Sequence, residues 1–61
     1  MDWISVKDEL PQTTARVIIW FGKQYGYRKW DTGCYHEALG EWADSNEQTC
    51  YPTHWARVTQ P

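Results

Sequence analysis

The chain has 61 residues, a formal net charge of −2 and an aromatic fraction of 16%, carried by five Trp, four Tyr and one Phe. That length excludes more than one domain and leaves little margin for folding without metal, disulfide or partner. The charge excludes a global attraction for nucleic acid or an anionic membrane. There is no signal-peptide pattern and no apolar run near membrane-spanning length, so the expectation is a soluble cytoplasmic protein. Its two cysteines, Cys34 and Cys50, are then reduced thiols.

Trp3, Ile4 and Val6 near the start fit a lid segment or a short edge strand, and Ser5 is placed to cap one helical turn through Asp8. Pro11 ends that turn, because the residue before a proline is pushed toward extended geometry. Gln12 to Ala15 leads into Arg16-Val17-Ile18-Ile19-Trp20-Phe21, the one unbroken run of β-branched and aromatic residues, which predicts the central strand. Gly22-Lys23-Gln24 is expected to break it, and Tyr25 to Trp30 follows as a strand or an extended loop. Asp31-Thr32-Gly33 carries a turn signal, with Gly33 able to take a positive φ. Cys34 to Glu37 reads as a strand, Leu39-Gly40 as a turn and Glu41-Trp42-Ala43 as a short strand. Asp44 to Gln48 reads as a polar, mobile loop, Thr53 to Val58 is the last element, and Pro61 closes the chain. The fold class is therefore mainly β, a compact antiparallel meander of three to five strands with at most one helical turn near Ser5 to Glu9, a small α+β arrangement being the alternative.

Alternation along the central strand puts Val17, Ile19 and Phe21 on one face and Ile18 and Trp20 on the other. Both faces are apolar, and a chain this short covers two sheet faces with difficulty. A homodimer joined through Ile18 and Trp20 supplies the missing cover. Trp42 and Trp55 are expected inside.

Three constellations bear on chemistry. Lys23, Tyr25, Tyr27, Arg28, Lys29 and Trp30 interleave rings with cations, the pattern that stacks bases and meets phosphates in a nucleotide or single strand. The same residues also suit a solvated hairpin, or a basic patch facing an acidic partner such as the stretch Glu37, Glu41, Asp44 and Glu47. Cys34-x-His36 with Cys50-x-x-x-His54 has the donor types of a tetrahedral zinc site, but its spacing matches no standard zinc module. A disulfide is the other bonded option, and two unlinked thiols are the expected state. Cys34 with His36, and Glu37 with Glu41, could pair for catalysis, yet neither has a positioning third group or an oxyanion donor. The expectation is a protein without enzymatic activity or cofactor.

Taken together, Trp3-Ile4-Ser5-Val6 with Leu10-Pro11, Val17-Ile18-Ile19, Gly33-x-Tyr35, Trp42 and Thr53-His54-Trp55 resemble domain-of-unknown-function family 551. The family usually continues its Thr-His-Trp with Met and Leu-Pro, whereas this chain has Ala56-Arg57-Val58-Thr59. The resemblance implies a small protein of tailed phages and prophages, and hence an accessory protein that binds and antagonises a host protein or defence system. It carries no catalytic residues. The readings set against it are a sponge for a nucleotide-like signal, with Tyr25, Tyr27 and Trp30 stacking and Arg28 and Lys29 on phosphate, and a small zinc- or nucleic-acid-binding module.

Overall fold

The computed structural model describes residues 2–13 and 15–58. The lead-in at Thr14 and the closing Pro61 lie outside the described residues. One antiparallel sheet contains β1 (Ile4–Ser5), β2 (Val17–Tyr25), β3 (Arg28–His36), β4 (Glu41–Ala43), β5 (Thr49–Cys50) and β6 (His54–Ala56). The spatial order is β1-β6-β2-β3-β4-β5. The mainly-β expectation holds, with six strands where three to five were expected. The β2 to β5 stretch is a meander, but β6 returns to insert between β1 and β2. That return has a physical reason. Ile19 pairs with Trp55, so the most apolar strand is flanked on both sides and the Trp55 side chain reaches the core.

β2 runs on through Gly22, where a break was expected. Gly22 has φ +69° and the register with β3 shifts between Trp20 and Tyr25, so the glycine bulges the strand without ending it. Tyr25 pairs with Arg28 across a two-residue turn that starts at Gly26, φ +66°, a turn whose twist suits a hairpin. The turn expected at Asp31-Thr32-Gly33 is instead the middle of β3. Gly33 does not have a positive φ; a side chain there would strike the carbonyl oxygen of Ala43. Up to Gly33 the strand pairs with β2, and from Cys34 onward it pairs with β4. This change of partner folds the β4–β5 hairpin over the inner face.

That inner face is the core: Val17, Ile19 and Phe21 from β2, Trp42, Cys50 and Trp55, with Ile4, Val6, Tyr25 and Tyr35 packed around them. Trp42 and Trp55 are both buried, as the sequence suggests. The Trp55 indole N–H donates to the Glu9 carbonyl at 2.9 Å. Glu9 ends the N-terminal turn, in which Asp8 and Glu9 donate to the Ser5 carbonyl and the Ser5 hydroxyl accepts from Lys7 N–H.

Candidate functional site

Side chains on the outer face of β2 follow from the alternation. Ile18 and Trp20 are half-buried, opposite Thr32 and Trp30 on β3 and Ala56 and His54 on β6. β1 pairs with the far side of β6, and this carries the preceding Trp3 back over the sheet. Its ring meets that of Trp20 at 5.6 Å with planes tilted 52°. The chain thus covers part of its own second face with Trp3. What stays open is a cleft of about 220 Å³ walled by Trp3, Ile18, Trp20 and Trp30. Trp30 is 60% exposed and Trp3 38%.

The other residues singled out in the sequence are scattered. Tyr25 lies on the inner side, its ring edge-on to Phe21 at 4.6 Å and its hydroxyl accepting from Tyr51 N–H at 3.1 Å. Tyr27, at 98% exposure, stands at the hairpin tip, and Lys29 is exposed. Arg28 sits over the rings of Phe21 and Tyr25 and bonds Asp31 at 2.5 Å and Asp44 at 2.9 Å. Of the six interleaved rings and cations, Trp30 alone joins Ile18 and Trp20; the structure does not assemble a stacking platform with a cation on phosphate from this set.

Arg28 instead closes a network. Asp44 is buried, and its Oδ1 accepts Asn46 N–H at 2.8 Å and Gln48 N–H at 3.0 Å, which ties the stretch expected as a mobile loop into a tight hairpin between β4 and β5. Asp31 accepts from Thr32 N–H and the Ser45 hydroxyl. Burial is the largest single influence on both carboxyls and pushes them up. The donors together outweigh it, led by Thr32 N–H for Asp31 and Gln48 N–H for Asp44, with Arg28 contributing to each, so both lie below the ordinary carboxylate range. Asp44 therefore belongs to the scaffold rather than to an acidic surface.

The four zinc-type donors are not gathered. Cys34 Sγ and His36 Nε2 lie 3.5 Å apart on β3, Cys50 is in the core, and on β6 His54 Nδ1 is bonded to the Thr53 hydroxyl at 2.9 Å. Among the described residues no three His, Cys, Asp or Glu side chains form a metal-binding group. Both cysteines are free thiols. Burial, with the Asp44 charge adding to it, pushes the Cys50 thiol up to about 11, so it stays protonated at neutral pH. Iodoacetamide at pH 8 is expected to alkylate Cys34 alone in the folded protein and both thiols after unfolding. Mass spectrometry reads the result, and two adducts at equal rates under native conditions would contradict the burial of Cys50.

Sequence reasoning missed Trp3 as part of the outer face and Asp44 as the partner of Arg28. The first depends on β1 pairing with β6, at the other end of the chain, and has no local signal. The second has a signal for the turn alone, since an Asp followed by Ser-Asn starts a side-chain-capped turn; the pairing with Arg28, 16 positions away, has none.

No helix among the described residues is long and apolar enough to cross a membrane. No curated protein and no solved structure matches the chain. The family described as Protein of unknown function (DUF551) matches residues 2–61. The span includes both the Trp3 segment and the Thr53-His54-Trp55 segment that leads into β6, and the chain belongs to this family.

Proposed function

We propose that this protein is non-enzymatic and acts by occupying a surface of another protein, with Trp3, Ile18, Trp20 and Trp30 as its contact. The observation that carries this reading is the exposure of Trp30 beside the open cleft. A large ring left in water next to an apolar hollow is the typical anchor of an interface. The phage-accessory context implied by the family resemblance makes the partner a host protein, antagonised one to one.

A homodimer on the same face is the second reading, favoured by Ile18 and Trp20 being only half-buried. Trp3 and Trp30 leave roughly 250 Å² of side chain uncovered, so a stable dimer of ~1,200 Å² would bury flanking residues of the sheet as well.

The test is affinity capture from a bacterial extract with the parent, Trp30→Ala and Tyr27→Ala chains. Trp30→Ala is expected to keep its stability within about 0.5 kcal/mol, because the ring is mostly solvated, and to lose the partner. Tyr27→Ala is expected to keep both. Equal capture by Trp30→Ala and the parent would overturn the assignment of this face.

A further inference from the structure

β3 carries a pair of side chains that the tryptophan cleft does not use. Tyr35 turns inward, its ring 5.0 Å from that of Trp42 at the margin of the core. Alternation therefore sends Cys34 and His36 to the opposite side of the strand, in line with Thr32 and Trp30. Both are half-buried, so water reaches them. Their Sγ and Nε2 atoms lie 3.5 Å apart.

That separation is the edge of a zinc tetrahedron. Bonds of about 2.3 Å to sulfur and about 2.0–2.1 Å to nitrogen, opened at the tetrahedral angle, hold the two donors about 3.5–3.6 Å apart. The same separation suits a thiol–imidazole hydrogen bond, so both side chains are already aimed at a common point and have little rotamer freedom left to lose. Sulfur with imidazole nitrogen is a donor set that selects zinc over magnesium or calcium.

One chain supplies half of such a site. Across from the pair on β4 stand Ala43 and Glu41, and among the described residues no third His, Cys, Asp or Glu completes a metal-binding group. Cys50 is shut in the core, and His54 is held by the Thr53 hydroxyl on β6. Two protein donors fall short of the four that a closed zinc site takes. A second copy related by a twofold axis brings the same two atoms from the other side, giving two sulfurs and two nitrogens. Charge favours the same count. Two thiolates cancel the double charge of zinc, whereas one would leave a net cation on the side of the sheet that carries Ile18, Trp20 and Trp30.

We infer that two copies of this chain share one zinc ion, bound by Cys34 Sγ and His36 Nε2 of each. Each thiol releases its proton to solvent as its Zn–S bond forms. The homodimer reading of the outer face thereby gains a defined joint, separate from the contact of the tryptophans with a host partner.

The test strips the full chain with EDTA and titrates it with zinc chloride under reducing conditions, with sedimentation velocity reading its mass and cobalt(II) serving as a spectroscopic substitute. One zinc per two chains, a shift from one-chain to two-chain mass, and the thiolate-to-cobalt charge-transfer band of a tetrahedral site are expected. Cys34→Ser and His36→Ala should each lose all three, while their circular dichroism stays that of the parent. His54→Ala, which lacks the imidazole outside the pair, should keep them. A mass that zinc leaves unchanged, equal zinc binding by Cys34→Ser and the parent, or loss of zinc in a folded His54→Ala chain would overturn the proposal. Partner capture by the zinc-free chain reads the tryptophan face on its own, so either assignment can fall without the other.

Discussion

A Gly33→Ala chain is expected to melt far below the parent. The added methyl would run into the Ala43 carbonyl and come within 3.0 Å of Ile19 Cδ1. The first obstacle is backbone in β4, which is held by pairs on both sides, Cys34 with Ala43 and Ala43 with Thr49. Relief therefore requires moving the hairpin that closes the core. Overpacking of this kind costs about 3 kcal/mol or more, roughly 15 °C in a domain this small. Gly40→Ala is the control. Its methyl would meet nothing within 4 Å, and only the positive φ of +65° opposes it, at about 1 kcal/mol. Equal melting of the two variants in circular dichroism would contradict the close crossing of β4 over β3.

Asp44→Ala is the second large effect. It removes the acceptor of two backbone N–H groups and one of the two carboxylates on Arg28, while the other, Asp31, remains. Orphaned donors of this kind cost about 1–3 kcal/mol each where buried. Both Arg28 and the loop reach water, so the total expected is about 3 kcal/mol. The same residue sets an acid limit. The carboxyls of Asp31 and Asp44 lie below their ordinary value of 3.8 in the folded protein. The stability they contribute is then complete above pH of about 4 and is lost as pH falls through the lower folded values. Urea midpoints measured from pH 7 down to pH 2 should fall for the parent below pH 4. They should fall less for an Asp44→Asn chain, which is weaker at pH 7. Parallel curves would show that Asp44 does not carry the acid sensitivity.

Much of the architecture is legible from local pattern. The run from Val17 to Phe21 marks the central strand and its two faces, and Leu39-Gly40 before Glu41-Trp42-Ala43 marks a turn and a strand as they occur. Ser5 fixes the only turn of helical character that the opening contains. The failures share a cause, which is that glycine has two uses. At Gly22 it supplies a positive φ inside a strand, and at Gly33 it supplies empty space under a crossing backbone; neither is a break in the chain. Long-range pairing was equally hidden. β6 beside β2, Trp3 over Trp20 and Arg28 on Asp44 join residues 16 or more positions apart. The outer face was half legible: Ile18 and Trp20 follow from alternation, Trp30 from its place in the aromatic run, and Trp3 only from the fold. The stacking set was misleading because sequence proximity joined Tyr25, Tyr27 and Trp30, while the bulge and the hairpin tip send them to different sides.

The central claim is that a partner meets the sheet through its outer tryptophans. The five indole N–H signals of the labelled chain test it directly, in NMR spectra recorded with and without the protein recovered by affinity capture. The signals of Trp3, Trp20 and Trp30 should move or broaden while those of Trp42 and Trp55, inside the core, hold their positions. Shifts confined to the core pair, or spread evenly over all five, would contradict it.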